Sequence, residues 1–168
     1  MTSTFVTTYT RTHTATWLSE LIFGTIADIC AALGIDTSTL YHDWKQDLSA
    51  IKAWIEEGSL AMVVLECHQP DGTVDPVFEF PVVYSSDVIG DAHFTAHNAS
   101  IARFYAKLRS VPRGTTYRLF CTYDGRQHST QPGWGPGMRA STEGLRSSSL
   151  GTIGNAPHAS ASMRYFRR

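Results

Sequence analysis

The stretch DAHFTAHNASIARFYAKLR, residues 91–109, predicts a helix around which the rest of the chain packs. Its apolar residues recur at steps of three and four, so they share one helical face wide enough to pack against a sheet. Asp91 can cap the first turn, while Pro112 and Gly114 prevent the helix from continuing. The packing face comprises Phe94, His97, Ile101, Phe104, Tyr105 and Leu108.

Two further amphipathic helices are predicted upstream of this one. Residues 14–33 keep the helical period and are followed by Gly34, a residue that commonly ends helices. Residues 36–38 supply capping oxygens for the second helix, which keeps its period until Gly58. Both helices therefore present one apolar face to a core.

Strand patterns flank the predicted central helix. Residues 60–68 and 74–84 read as two strands joined by the turn Pro70-Asp71-Gly72. Pro76 and Pro81 cannot donate ladder hydrogen bonds, which predicts an edge or a bulge along part of the second strand. Residues 115–123 alternate apolar and polar side chains and form a third strand.

The last 44 residues have a different composition. Residues 125–168 are rich in Gly, Ser and Pro and hold only isolated apolar residues, so they cannot make a core of their own. Short β-like pieces at residues 150–153 and 163–166 could pair with an available sheet edge. A disordered tail without a role is the alternative.

Length and composition fit a single domain of 168 residues with 42% hydrophobic and 17% charged residues. The N-terminus lacks the order of a secretion signal, and no apolar run approaches the ~20 residues of a membrane helix. We therefore expect a cytoplasmic protein. Cys30, Cys67 and Cys121 are separated and lie in apolar patterns, which favours core packing over disulfides or a zinc ribbon.

Charge divides the chain into an acidic body and a basic tail. Residues 1–124 hold 8 Lys and Arg against 14 Asp and Glu, whereas residues 125–168 hold six Arg and only Glu143. The tail could therefore lie on the body or engage an acidic partner. Arg164, Arg167 and Arg168 interleave with aromatic residues, so nucleic-acid binding through this tail is one hypothesis.

Motifs for catalysis or metal binding are weak. His93 and His97 have the spacing of two metal ligands, but Phe94 occupies the place of a base and no third ligand is obvious, although Asp87 or Asp91 could reach. GWGPG, residues 133–137, lacks the Lys-Ser/Thr of a P-loop and predicts a flexible or turning loop. SSSLG, residues 147–151, is not a nucleophile elbow. We predict a protein that is not an enzyme and that needs no metal or cofactor.

The order of elements resembles HORMA domains. The strings TYTRTHTATWL, residues 8–18, and WIEEGSLAMVVLE, residues 54–66, resemble the bacterial HORMA proteins of CBASS anti-phage operons. The resemblance implies an α+β fold, with three helices packed on a mostly antiparallel sheet and a mobile C-terminal safety-belt segment. Residues 1–124 would be the HORMA core and residues 125–168 the belt, within one domain.

The resemblance also implies a function. A belt that opens and closes would trap a closure-motif peptide, which adds to the sheet as a strand. The peptide-bound form would activate a cGAS-like nucleotidyltransferase in antiviral defence, and an AAA+ ATPase remodeller would reset this conformational switch. A second HORMA protein is a further possible partner, with the tail SMRYFRR as its ligand.

Candidate site residues follow by element, because no short motif marks the peptide groove. A remodeller is expected to engage a flexible N-terminal stretch beginning Thr2, Ser3, Thr4 and Phe5. The predicted peptide-binding residues of strand and belt are Tyr117, Leu119, Cys121, Tyr123, Leu150 and Ile153.

Overall fold

The computed structural model describes residues 2–85, 94–125 and 127–168, with side chains from Thr10 onward. These residues form four helices and six strands. The helices are α1 (Thr2–Leu33), α2 (Ser38–His42), α3 (Trp44–Glu57) and α4 (Asn98–Tyr105). The strands are β1 (Leu60–His68), β2 (Val74–Tyr84), β3 (Thr95–Ala96), β4 (Thr116–Tyr123), β5 (Arg146–Ala156) and β6 (Ala159–Arg167).

The strands form one antiparallel sheet in the order β3-β5-β6-β2-β1-β4. The helices α1, α3 and α4 pack against it, which confirms the predicted α+β class. Side chains such as Leu65 and Phe78 point from one face of the sheet into this shared core. Val64 and Val77 are buried on the opposite face, so that face is covered as well.

The helix that organises the core is α1 rather than the predicted central helix. It is 32 residues long, and Leu18, Ile22, Phe23 and Ile26 are fully buried along it. The predicted period of residues 14–33 is confirmed, but the helix begins at Thr2 instead of near Thr14. The backbone is helical from Thr2 onward, in the stretch that a remodeller is expected to engage.

Within the described residues, α1 is also the one helix long and apolar enough to cross a membrane. The segment Thr10–Leu33 has a mean hydropathy of 1.4 in its most apolar window, and 56% of that window is buried inside the protein. This corrects the expectation that no apolar run approaches such a length. A buried core helix passes the same test of length and composition, so the segment is weak evidence for a membrane span.

The central helix is shorter than the 19 residues predicted from periodicity. Helix α4 begins at Asn98 and ends at Tyr105, and its residues Ile101 and Phe104 are buried. After it, the N–H groups of Lys107 and Leu108 form only turn hydrogen bonds to carbonyls three residues earlier. Thr95 and Ala96 instead form β3 against β5, and the His97 N–H donates to the Ile153 carbonyl at 2.9 Å. Pairing with a distant strand thus overrides the helical pattern; the proposed cap Asp91 lies outside the described residues.

The remaining local predictions agree with the structure, with two refinements. Gly34 and Gly58 adopt left-handed backbone after α1 and α3, but the predicted second helix is divided at Asp43 into α2 and α3. The predicted hairpin is formed by β1 and β2. The pairing register of the two strands shifts near Pro76 of β2, and this shift is the predicted bulge. Strand β2 itself lies between β1 and β6, so it is not an edge.

The C-terminal segment becomes part of the domain. Strands β5 and β6 form a hairpin that pairs with β2 through β6, as the β-like pieces at residues 150–153 and 163–166 predicted. Ile153, Ala161 and Met163 of this hairpin are 0–1% exposed. Detaching all of residues 125–168 would therefore expose apolar surface, although this segment has no core of its own. The division at residue 124 stays a prediction.

Candidate functional site

The edge of the sheet at β4 is open. Within the described residues β4 pairs with β1 on one side and with no strand on the other. A cleft of about 950 Å³ runs beside it, bounded by α2, α3 and residues 128–137. An open strand edge presents a row of backbone N–H and C=O groups that a further strand can use.

Residues 127–140, which we call the strap, form the outer wall of this cleft. The Trp54 indole N–H donates to the Ser129 carbonyl at 2.8 Å, and the Gln46 amide donates to the Pro132 carbonyl at 2.9 Å. Gly133 has φ +80° and lies directly against the Gln46 amide, where a Cβ would clash. The GWGPG loop thus turns as predicted and is fitted closely to α3.

Glu57 adds a charged anchor for the strap. Its carboxylate accepts from the Ser129 N–H at 3.2 Å and from the Ser59 hydroxyl at 2.9 Å. Burial acts against the charge of this carboxyl, but the hydrogen bonds from Ser129 and Ser59 outweigh it and lower the pKa of Glu57. The carboxylate is therefore ionised and holds the start of the strap.

The cleft is aromatic at the Tyr123 end. The Tyr123 ring stacks on His128 with centroids 3.5 Å apart, and Trp54 meets Tyr123 and Trp134 edge to face at 5.1 and 5.4 Å. The Nε1 atom of Trp134 is buried, and its N–H interacts with the Asp47 carboxylate. This end of the cleft therefore offers apolar surface.

The cleft is acidic at the Tyr117 end. Asp36, Asp43 and Asp47 all line it. Burial, together with the charge of Asp43, raises the pKa of Asp47, and the nearby Trp134 indole partly offsets this rise. Burial, with added repulsion from nearby Cys30 and the three aspartates, raises the pKa of Tyr117 to about 12, so its hydroxyl is neutral.

Beyond the cleft, the strap crosses to the other face of the sheet, where two buried carboxylates hold it. Glu66 accepts from the backbone N–H of Ala140 at 2.6 Å and contacts His68 at 3.0 Å. Glu79 accepts from Arg139 at 3.0 Å and from Arg164 of β6 at 2.7 Å. The two glutamates are 1% and 3% exposed, so they are committed to these partners.

Sequence reasoning missed Glu66 and Glu79. Each is a charged residue inside an otherwise apolar strand, as in VVLEC and VFEFP. That pattern predicts a solvated face when considered for one strand alone. The sequence patterns carry no signal for this burial, because only the sheet order shows that β1 and β2 are central strands, where a charge on the second face needs a partner.

The whole chain, residues 1–168, matches the family model for bacterial HORMA domain 2. The chain belongs to this family. No curated protein sequence is significantly similar to it. The predicted resemblance to bacterial HORMA proteins is confirmed, and the antiparallel sheet with packed helices is the HORMA fold.

Solved HORMA structures share this fold at low sequence identity. A chain of the mitotic checkpoint complex is 11% identical with a TM-score of 0.76, covering 93% of this chain and 99% of that one. C. elegans HTP-2 bound to the HIM-3 closure motif is 15% identical with a TM-score of 0.70, covering 92% and 90%. A chain of the E. coli MS115-1 CdnC:HORMA-deltaN complex is 13% identical with a TM-score of 0.59, covering 92% and 87%.

The structure brings together only part of the predicted peptide site of this HORMA domain. Tyr117, Leu119, Cys121 and Tyr123 lie along β4 and line the cleft. Leu150 and Ile153 lie on β5, with β6, β2 and β1 between them and β4. Ile153 is fully buried under the helices, so these two belt residues do not line the same cleft.

Other predicted site residues fall elsewhere. Thr2 to Phe5 form the beginning of α1, and their side chains are outside the described residues. His93, Asp87 and Asp91 are also outside them, whereas His97 precedes α4 and contacts Asn155 at 3.1 Å. In the described part of the chain no group of three metal-ligating side chains occurs. Cys30 and Cys67 are buried as predicted, but Cys121 is only partly buried beside the cleft.

Proposed function

We propose that this HORMA domain is a non-catalytic conformational switch that captures a closure-motif peptide as an added strand on the β4 edge. The observation that carries the proposal is the cleft of about 950 Å³ between an unpaired strand and the strap. Backbone hydrogen bonds to β4 would supply the grip, and alternate side chains would supply the choice of peptide. Strand β4 has 8 residues, so the bound segment is about 25 Å long.

The course of the strap supports capture rather than simple docking. It begins at the end of β4, passes the outer side of the cleft along α3, and then reaches the far face of the sheet at Glu66 and Glu79. A peptide on β4 would therefore be enclosed by covalent chain. The strap has few buried apolar residues, so it can open locally while the sheet remains folded.

Replacing residues 128–137 with Gly and Ser residues of equal number tests this proposal. The variant keeps both ends of the strap and loses the ring contacts of His128 with Tyr123 and of Trp134 with Trp54. The carbonyls that accept from Trp54 and Gln46 belong to the main chain and remain present, on a more flexible backbone. We expect unchanged cooperative unfolding but at least tenfold faster release of a peptide selected on the wild-type protein. Met138→Ser is the matched control, because its side chain is 90% exposed on the same strap.

Amide hydrogen exchange identifies the edge that is used. Peptide binding should slow exchange in Thr116–Tyr123, because the outward N–H groups of β4 gain partners. Exchange in the two residues of β3, at the opposite edge, should not change. Protection that appears at β3 and not at β4, or equal release from the strap variant and wild type, would contradict the proposal.

A nucleotidyltransferase is the partner that we propose for the peptide-bound form. A HORMA chain of the same fold is found with CdnC in the E. coli complex, which supports a cGAS-like enzyme of CBASS antiviral defence in the cytoplasm. An AAA+ ATPase would reset the switch from the start of α1, at Thr2 to Phe5. Adding peptide should raise second-messenger synthesis by the partner enzyme with wild type and not with the strap variant.

The alternatives receive less support from the contacts of the tail. Arg164 is engaged by Glu79, and the Arg167 guanidinium lies 5.7 Å from the centre of the Tyr165 ring. Arg164 thus fastens β6 to β2, and the Arg167 contact lies within β6. Nucleic-acid binding through these arginines is therefore not our leading proposal. A tail that serves as ligand for a second HORMA protein would have to leave the sheet, although Met163 is 1% exposed.

A further inference from the structure

The two ends of the cleft differ in chemistry, and this difference specifies the peptide. We propose that the captured peptide carries a Lys or Arg side chain for the Tyr117 end and an aromatic or large aliphatic side chain for the Tyr123 end. The inference rests on the proposed function and goes beyond it, because it names the chemical class of the ligand.

Three carboxylates without basic partners argue for the cation. Asp36, Asp43 and Asp47 converge on one end of the cleft. Among the described residues no Lys or Arg forms an ion pair with any of them, and His42 approaches Asp43 only at 4.0 Å. Asp36 is exposed, whereas Asp43 and Asp47 are half-buried, and the charge of Asp43 raises the pKa of Asp47. A peptide cation would offset the repulsion between these two carboxylates and would add an attraction to Asp36.

The aromatic end argues for a large apolar side chain. Tyr123 and Trp134 are half-buried and line the cleft, and the buried Trp54 ring lies against both of them. Aromatic partners favour edge-to-face contact and bury a large area per side chain.

Strand geometry fixes the spacing of the two anchors. Tyr117 and Tyr123 are six residues apart on one face of β4, which corresponds to about 20 Å. Side chains of an added strand that point toward α2 and α3 occur at every second residue. The basic and the large apolar residue should therefore be an even number of positions apart, about four or six.

A displayed library of random 12-residue peptides tests the inference on the full-length protein. Selection on wild type should enrich peptides that carry both anchors at this spacing. Replacing the Lys or Arg of a selected peptide with Met should weaken its binding to wild type about threefold to tenfold, the range for one or two partly exposed ion pairs. The loss should become smaller at high salt.

The matched variants are Asp43→Asn with Asp47→Asn in the cleft and Glu20→Gln with Glu143→Gln outside it. Asparagine remains a good N-cap at position 43, and Asp36 is left intact because its carboxylate caps Ser38. Both pairs remove two negative charges. Only the cleft pair should abolish the preference for Lys or Arg while keeping the apolar anchor.

The outcomes separate the two proposals. Enrichment of a strand-like motif without a basic residue, or a basic preference unchanged in the cleft variant, would overturn this inference and leave peptide capture standing. Absence of any enriched motif on wild type would overturn peptide capture itself, and the ligand class with it. If both double variants lost the preference for Lys or Arg equally, the preference would come from the net charge of the protein. The aspartates of the cleft would then be rejected as its cause.

Discussion

The strap and the β5–β6 hairpin belong to one C-terminal segment but are held to the domain in different ways. The hairpin adds backbone pairing with β2 and places Ile153, Ala161 and Met163 in the core. The strap is held mainly by single hydrogen bonds, such as that from Gln46 to the Pro132 carbonyl. Regions with few buried apolar contacts open at low free energy, so the strap is the part that can move.

This difference changes how a belt should be tested. Deleting the whole segment would remove part of the core together with the cleft wall, so loss of binding would not distinguish unfolding from loss of the belt. Changes confined to the strap or to the hairpin separate the two effects. The three predictions below use that separation, beginning with the largest expected effect.

Ile153→Ala should destabilise the protein most. Ile153 is fully buried, and a truncation of this kind usually costs about 2–5 kcal/mol because it leaves a cavity. Gln46→Ala removes one exposed bond to the strap and should cost less than about 1 kcal/mol. Urea unfolding of both variants measures the contrast; similar costs would mean that hairpin and strap contribute equally to the fold.

Glu79→Gln should lower the free energy of unfolding by an intermediate amount, about 1–3 kcal/mol. The change removes the charge of a buried carboxylate that forms ion pairs with two arginines. Arg139 and Arg164 are partly exposed and can regain water, which limits the cost. Double-mutant cycles with Arg139→Gln and Arg164→Gln separate the strap contact from the hairpin contact. A coupling energy near zero with Arg139 would show that Glu79 does not fasten the strap.

His158 should give the smallest effect, and it should depend on pH. The residue lies at the tip of the hairpin, where burial, and then the charge of Arg11, lowers the pKa of its imidazole. As the pH falls below about 6.5, the unfolded chain takes up a proton that the folded chain resists, so stability decreases. His158 also lines a cavity of about 420 Å³.

His158→Asn is the matched variant, because Asn tolerates the left-handed backbone at φ 74° and carries no titrating group. Unfolding curves at pH 7 and pH 5.5 should show a smaller loss of stability for the variant than for wild type. The Thr14 hydroxyl, which donates to the Pro157 carbonyl at 2.6 Å, should hold the turn in both proteins. Equal pH dependence in the two proteins would remove His158 as the cause.

Sequence periodicity predicted most of the elements but not all of their roles. The patterns of residues 60–68 and 74–84 correspond to β1 and β2, and the open strand β4 was predicted within one residue. The long helix proposed for residues 91–109 failed at Thr95 and Ala96, which pair with β5 more than 50 residues later. Leu150 and Ile153 were assigned to the cleft because strand patterns do not state a position in the sheet.

Local interactions explain what the sequence of this HORMA domain determined. Helical and strand periods, the turn Pro70-Asp71-Gly72 and the helix ends at Gly34 and Gly58 depend on residues within a few positions of one another. Backbone pairing between distant strands uses the same N–H and C=O groups whichever strands meet. Only the tertiary structure therefore decided that the hairpin takes the edge of β2, that Glu66 and Glu79 receive the strap, and that β4 is left open.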